Sequence, residues 1–283
     1  MIVKNEDQWV WFALQSILPY VDQIFLTDTG STDRTREIIT TISSSKITFR
    51  EVKVRSAKEV TLERQRQLSF TKTPWIWIID GDEIYPKKTA EEILAAVNTN
   101  KYEGIAVRRY DLLGDIYHRQ KESIGSYHML DHTGHLVTRL VNQEKIKGLV
   151  YRGDYPLEGW YDGSGKIIHE RKETDWYITE NYLYHAMYLK RSSLGGNLPM
   201  FNRGKYKIET GIKIEDTLPE VFALPHPSSI PDPLRQLDAC DDDRRCGEAL
   251  QSQHRTEPLF HSPMVLLDDV VQVLAAADLH ALR

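Results

Sequence analysis

The residues best suited to chemistry fall in three short polar clusters, each placed directly after an apolar run. Trp75-Ile76-Trp77-Ile78-Ile79 ends in Asp80-Gly81-Asp82-Glu83, Ile24-Phe25-Leu26 leads into Asp28-Thr29-Gly30-Ser31-Thr32-Asp33, and the stub Ile2-Val3 leads into Lys4-Asn5-Glu6. On an extended chain, residues two apart project to the same side. The carboxylates of Asp80 and Asp82 can therefore share one hard divalent cation, which prefers oxygen ligands. Unpartnered charges at the end of so apolar a run would be costly to desolvate; the bland alternative is a strand-ending turn with solvated acids. In the second cluster Gly30 relaxes a strand-to-helix turn. Asp28 could accept hydrogen bonds from a base or ribose there, with the next helix's N-terminus adding a positive dipole, although a purely structural turn reads equally from these residues.

The elements around these clusters alternate between strand and helix. Val10, Ala13, Leu14, Ile17 and Leu18 recur at helical spacing, and Pro19 ends that helix. Ile24 to Leu26 predicts a buried strand, and Asp33 is placed to cap a helix carrying Ile38, Ile39 and Ile42. Ile47 to Val54 predicts a further strand and Arg64 to Phe70 a helix. The unbroken run from Trp75 to Ile79 predicts a strand covered on both faces. Thr89 and Glu92 have capping-box spacing for a helix through Val97. Such alternation implies an α/β fold, a mostly parallel sheet with helices on both faces, whose ligands sit beyond the carboxyl ends of the strands. All three polar clusters would then share one edge. Residues 104–213 carry shorter strand-like pieces (Gly104 to Arg108, His135 to Val141), many aromatics and charged loops, an acceptor-side elaboration of the same core.

The order and spacing of Val3-Lys4-Asn5-Glu6, Asp28 to Asp33 and Trp77-Ile78-Ile79-Asp80-Gly81-Asp82-Glu83 resemble glycosyltransferase family 2, nucleotide-sugar enzymes of the GT-A fold. Family members also carry an Arg-Asn pair on a helix, and Arg64 sits at the matching place, sixteen residues before Asp80, with Gln65 in place of the Asn. The resemblance covers about residues 1–100. It implies a nucleotide pocket lined by Asn5, Glu6 and Asp28 within motifs that include Val3, Gly30 and Gly81. Arg64 would face the nucleotide or its diphosphate. Asp80 and Asp82 would hold Mn²⁺ or Mg²⁺ across the two phosphates. Some GT-A enzymes add a late histidine as a third ligand; His185 fits that role, with His169 as its competitor. Lys190 and Arg191 could contact the diphosphate. Two departures stand out. Met1 lies two residues before Val3, so the first strand is a stub. Tyr151-Arg152 occupies the place, after Arg139-Leu140 and Gly148, where the family often has a His-Glu pair supplying the base. Asp154 is then the first candidate for the carboxylate that takes the acceptor's proton, and Glu158 the second. Trp160, Tyr161, Tyr155 and Trp176 could form a stacking platform for a sugar or belong to the core.

Composition bounds these readings. The chain has 283 residues, 41% hydrophobic and 27% charged, which excludes a disordered or fibrous protein. No apolar run approaches the ~18–20 residues needed to span a bilayer, and the N-terminus lacks a signal-peptide stretch. The two cysteines cannot build a disulfide scaffold. The net charge of −5 argues against a general nucleic-acid binder. That charge divides unevenly: residues 1–213 hold 31 Lys and Arg against 28 Asp and Glu, while 214–283 hold 5 against 13. The expected organisation is a GT-A domain over 1–213 (nucleotide half 1–100, acceptor half 101–213) and an acidic, Pro-containing tail over 214–283. The expected activity is metal-dependent transfer, with inversion, from a UDP- or GDP-sugar to a saccharide or lipid-linked hydroxyl. The setting would be cytoplasmic, with at most peripheral membrane contact, no nucleic-acid partner, and homo-oligomerisation open. The alternatives are a nucleotidyltransferase, which would usually carry a Gly-rich basic loop after its first strand, and a non-catalytic nucleotide-sugar binder.

Overall fold

A computed structural model of the chain describes residues 1–123, 127–129, 132–153, 158–194 and 211–234. In chain order its strands are β1 (Ile2–Val3), β2 (Ile24–Asp28), β3 (Ile47–Glu51), β4 (Trp75–Trp77), β5 (Glu83–Ile84), β6 (Gly104–Asp111), β7 (His118–Arg119), β8 (Tyr127–Met129), β9 (His132–Gly134), β10 (Leu136–Asn142), β11 (Val150–Arg152), β12 (Gly159–Tyr161), β13 (Trp176–His185) and β14 (Ile212–Lys213). The helices are α1 (Val10–Ile17), α2 (Thr35–Thr41), α3 (Ala57–Phe70) and α4 (Lys87–Asn98).

Strands β1, β2 and β3 pair in parallel, and an isolated parallel bridge joins Ile2 to Asp80, three residues beyond the end of β4. The order then runs β4-β10-β6-β13-β5, with β13 parallel to β6 and with β10 and β5 reversed. The result is a mixed, mostly parallel sheet. The strands ending in Val3, Asp28, Asp111 and His185, and the turn at Asp80, all finish on one edge, as the alternation of elements requires. The small pairs β7–β14, β8–β9 and β11–β12 stand apart from it.

The local chemistry explains most boundaries. Helix α1 is buried on nearly every face, and Pro19 turns its end into a 3₁₀ turn over Leu18–Tyr20. Asp33 accepts the amide of Thr35 at 2.9 Å, satisfying an exposed donor at the start of α2. Helix α3 begins seven residues earlier than its apolar pattern suggests: Ser56 accepts the Glu59 amide while Glu59 reaches back to the Arg55 amide. The capping box expected at Thr89 and Glu92 does not form. Pro86 caps α4, Thr89 donates to the Tyr182 carbonyl, and Glu92 accepts from Tyr177, Glu180 and Asn181. Tertiary partners on β13 have claimed both side chains. The strand at Trp75–Trp77 is half-buried rather than covered on both faces. It pairs with β10, and a cavity of about 320 Å³ is lined by Ile24 and Phe25 of β2 and Trp75 and Trp77 of β4. The Met1 ammonium donates to the Phe25 carbonyl at 2.8 Å, and burial, with the charge of Arg64, lowers its pKa to about 5.

One core cluster unites α1, α2, α4, the central strands and the segment after β14, whose Ile214, Val221, Phe222 and Ile230 are all buried. Phe222 meets Phe12 edge-on at 5.4 Å, and Lys88 pairs with Asp216 at 2.9 Å. The compact unit runs from Met1 to Leu237, past the charge break at 213/214, and 238–283 separates as a second unit outside the described residues. No helix among the described residues is long and apolar enough to cross a membrane. Phe222→Ala should cost about 3–5 kcal/mol, the range for truncating a buried aromatic, read as a lowered urea midpoint at unchanged slope. An unchanged midpoint would mean that the 214–230 segment adds nothing to the core.

Candidate active site

The loops that follow β1 and β2 are stitched together. Asn5 adopts a left-handed backbone (φ 54°), and its amide donates to Ser31 Oγ at 2.9 Å. Its side-chain oxygen accepts the Thr32 amide at 2.8 Å. The Val3 carbonyl accepts from the amide and hydroxyl of Thr29. Asp28 Oδ1 takes the amides of Gly30 and Ser31, both at 2.7 Å, with Gly30 at φ 101°, a conformation other residues rarely adopt. Asp28 Oδ2 is buried and has no hydrogen-bond partner. A buried carboxylate oxygen left in this state is costly, so it is the natural acceptor for a donor that a ligand brings.

Asp80 and Asp82 do not share one environment. Asp80 Oδ1 accepts from Arg64 at 2.9 Å and Oδ2 from Arg139 at 2.8 Å. Arg139 also binds Glu83, which is fully buried. Burial raises the Glu83 pKa despite the Arg139 charge, and the two carboxylates raise that of Arg139 against its own burial. Asp80 therefore anchors the turn on two guanidinium groups. Gly81 is required between the acids, because a Cβ there would lie 2.8 Å from Val3 Cγ1 and 3.1 Å from Glu6 Cγ.

Asp82 instead meets His185: its Oδ2 lies 3.5 Å from His185 Nε2. His185 Nδ1 is held by Asp111 Oδ1 at 2.9 Å. Burial alone would lower the His185 pKa, but Asp82 and Asp111 outweigh it and push it up to about 9. The Arg191 guanidinium reaches the same carboxylate, with Nε 3.3 Å from Asp82 Oδ2, and binds Glu6 as well. Glu6 is thus turned to Arg191, while its amide donates to Thr35 Oγ1. Lys190 is exposed, and its carbonyl accepts the indole N–H of Trp9. His185, rather than His169, is the histidine that meets the acidic turn.

The candidate bases separate. Asp154 lies outside the described residues, as do Tyr155 and the cysteines. Glu158 is half-buried with Oε2 buried and unpartnered. It neighbours Tyr151, whose phenol is raised well above its usual range by burial, with Glu158 adding to the effect. The Arg64 guanidinium lies over the Tyr151 ring at 5.8 Å, and Gln65 accepts the Tyr151 amide at 2.7 Å, so the residue standing for the family's Asn braces β11. Trp160 packs edge-on against Tyr151 at 4.8 Å, whereas Trp176 is a core residue. Sequence reasoning passed over Arg139 as a charge partner, and also Glu83, Asp111 and His135. Neither Asp111, which follows Arg108-Arg109-Tyr110, nor His135 carried a local signal.

Two protein donors, Asp82 and His185, converge, and among the described residues no group of three His, Cys, Asp or Glu side chains could hold a metal ion. The pair suits a cation that takes its remaining ligands from a bound diphosphate, since imidazole and carboxylate both serve Mn²⁺ and the second imidazole nitrogen is already held by a carboxylate.

The model of Glycosyl transferase family 2 matches residues 1–149. Among solved structures, the chain is similar to S. aureus TarS 1–349 in complex with UDP-GlcNAc (12% identity, TM-score 0.42), covering 65% of this chain and 56% of that one. It is also similar to glucosyl-3-phosphoglycerate synthase from Mycobacterium tuberculosis in complex with phosphoglyceric acid (16% identity, TM-score 0.41, 65% and 69% covered). The same synthase with Mn²⁺ and UDP-glucose matches at 22% identity and TM-score 0.29 over 39% and 42%. The chain spans a little over half the length of the TarS 1–349 chains, 58% and 56%. No curated protein sequence matches it.

Arg139→Leu should destabilise the fold by about 3–5 kcal/mol, because it leaves the buried Glu83 without its counter-charge and Asp80 with Arg64 alone; chemical denaturation reads this, and a loss below 1 kcal/mol would contradict the pairing. His185 makes stability depend on pH. Its folded pKa of about 9 exceeds the unfolded ~6.5, so its contribution is fully present below pH 6.5 and is lost as pH rises through 9. The melting temperature of the metal-free chain should fall over that window and His185→Asn should flatten the fall; equal slopes would contradict it.

Proposed function

Because the chain belongs to glycosyltransferase family 2, we propose that it transfers a sugar from a nucleoside diphosphate donor to a hydroxyl acceptor, with a divalent cation at Asp82 and inversion at the anomeric carbon. The observation that carries the reading is the convergence of Asp82 on His185 Nε2 at the edge where β1, β2, β4, β6 and β13 end.

The chain's own residues divide the work. Asp28 Oδ2, buried and unpartnered, accepts from the base or ribose of a UDP- or GDP-sugar, and Asn5 and Gly30 hold the loop that presents it. Asp82 and His185 would hold Mn²⁺ or Mg²⁺, which when bound would supply Lewis acidity against the charge of a leaving diphosphate. Arg191 neutralises Asp82 and Glu6 until the donor arrives; its guanidinium, with Lys190 beside it, then faces phosphate oxygens, for which a bidentate donor is well shaped. Arg64 and Arg139 keep Asp80 and the turn fixed, so Asp82 needs no reorganisation during the reaction. Glu158 would take the proton of the attacking hydroxyl through its unpartnered Oε2, with Asp154 as the competing base. The acceptor is a saccharide or a lipid-linked hydroxyl.

A donor panel of UDP- and GDP-sugars with Mn²⁺, followed for product and donor hydrolysis, tests the reading. Asp82→Asn should abolish both, and Glu158→Gln should lower transfer by about 10²–10⁴-fold, the contribution of a general base, at near-normal donor affinity. Turnover by Asp82→Asn with Mn²⁺ present would refute the metal assignment, and full activity in Glu158→Gln would move the base to Asp154. Tight donor binding with neither product nor hydrolysis would make the chain a nucleotide-sugar binder.

A further inference from the structure

We infer that Asp111 is a positioning residue for this site: it holds the His185 imidazole with Nδ1 protonated, so that the Nε2 lone pair is turned to Asp82 and to the cation that the proposed function places there. The inference rests on that reading for its purpose, and on geometry for its content.

The two residues are fixed by the backbone before any side chain acts. Asp111 ends β6, His185 ends β13, and the parallel register sets them opposite one another, with the Leu112 amide donating to the His185 carbonyl at 2.9 Å. Both side chains are buried, Asp111 to 1% exposure. At that depth a carboxylate persists only with compensating charge. Asp111 Oδ1 takes His185 Nδ1 at 2.9 Å and lies 3.1 Å from Arg109 Nε. Its Oδ2 lies 3.1 Å from His135 Nδ1.

The groups around Asp111 set the protonation pattern. Arg109 supplies a fixed positive charge against Oδ1, and the His135 ring lies against Oδ2 while its Nε2 donates to the Lys121 carbonyl at 3.0 Å. A carboxylate buried against a guanidinium group is kept in its ionised form by that charge. An ionised carboxylate only accepts hydrogen bonds. The proton between Asp111 and His185 therefore belongs to Nδ1 of the histidine. When the imidazole is neutral its lone pair is on Nε2, the nitrogen 3.5 Å from Asp82. Without Asp111 both tautomers compete and the ring is free to turn, which is the ordinary consequence of losing the outer partner of a ligating histidine.

Two measurements test this on the full chain. Calorimetric titration of Mn²⁺ in the presence of UDP should show Asp111→Asn binding the ion about 10–100-fold more weakly than the wild type; equal affinity would overturn the inference. Long-range ¹H–¹⁵N correlation of the His185 ring in the metal-free wild type, above pH 10 and assigned by loss of the signal in His185→Asn, should show the Nδ1–H tautomer. An Nε2–H tautomer would overturn the inference, and this reading stands even where Asp111→Asn fails to fold. A wild type that takes up no Mn²⁺ with UDP would refute the metal reading alone, and the tautomer measurement would still decide what Asp111 does.

Discussion

Everything at the candidate site depends on neutralising carboxylates that the topology crowds onto one sheet edge. Glu6, Asp28, Asp82, Glu83 and Asp111 are all buried there, with Asp80 half-buried beside them. A buried charge costs several kcal/mol unless a well-placed partner compensates it. The chain supplies partners from distant positions: Arg64 from α3, Arg139 from β10, Arg109 from β6, His185 from β13 and Arg191 just beyond it. These pairs do not make the protein stable so much as make an acidic edge tolerable. They also sort the acids. Asp80 and Glu83 are engaged by guanidinium groups, whereas Asp28 and Glu158 each keep one buried oxygen without a hydrogen-bond partner, and Asp82 is shared by His185 and Arg191.

That sorting gives the site a division between what is fixed and what is left for a ligand. The fixed part is the turn at Asp80-Gly81-Asp82, wedged against Val3 and Glu6 where no Cβ fits. The part left over is one oxygen at the nucleotide loop, one carboxylate–imidazole pair at the centre, and one carboxylate oxygen on the β11–β12 side. A nucleotide, a diphosphate with its cation, and an acceptor hydroxyl would meet these in that order.

Much of this was legible in the sequence because the relevant signals are local. Apolar runs ending in acids gave β2, β4 and their clusters, Pro19 ended α1, and the spacing from Arg64 to Asp80 singled out Arg64, which the resemblance turns toward the nucleotide and which the structure sets 2.9 Å from Asp80. The illegible parts are those set by tertiary contact. The spacing of Asp80 and Asp82 lets both face one cation, but it does not show that Arg139, fifty-nine residues downstream, binds Asp80. Thr89 and Glu92 had capping-box spacing but serve β13 instead. The charge break at 213/214 marked a change in composition and not the end of packing, since Ile214, Val221 and Phe222 enter the core. The buried pair Asp111–His135 joins the end of β6 to the residue between β9 and β10, which no spacing rule connects.

The central claim is that Asp82 and His185 form a cation site that the donor's diphosphate completes. Isothermal titration of UDP into the wild-type chain, with Mn²⁺ and then with the metal chelated, addresses it most directly. The account predicts binding that needs Mn²⁺ and that weakens at least tenfold when the ion is removed. UDP binding of equal strength under chelation would contradict it.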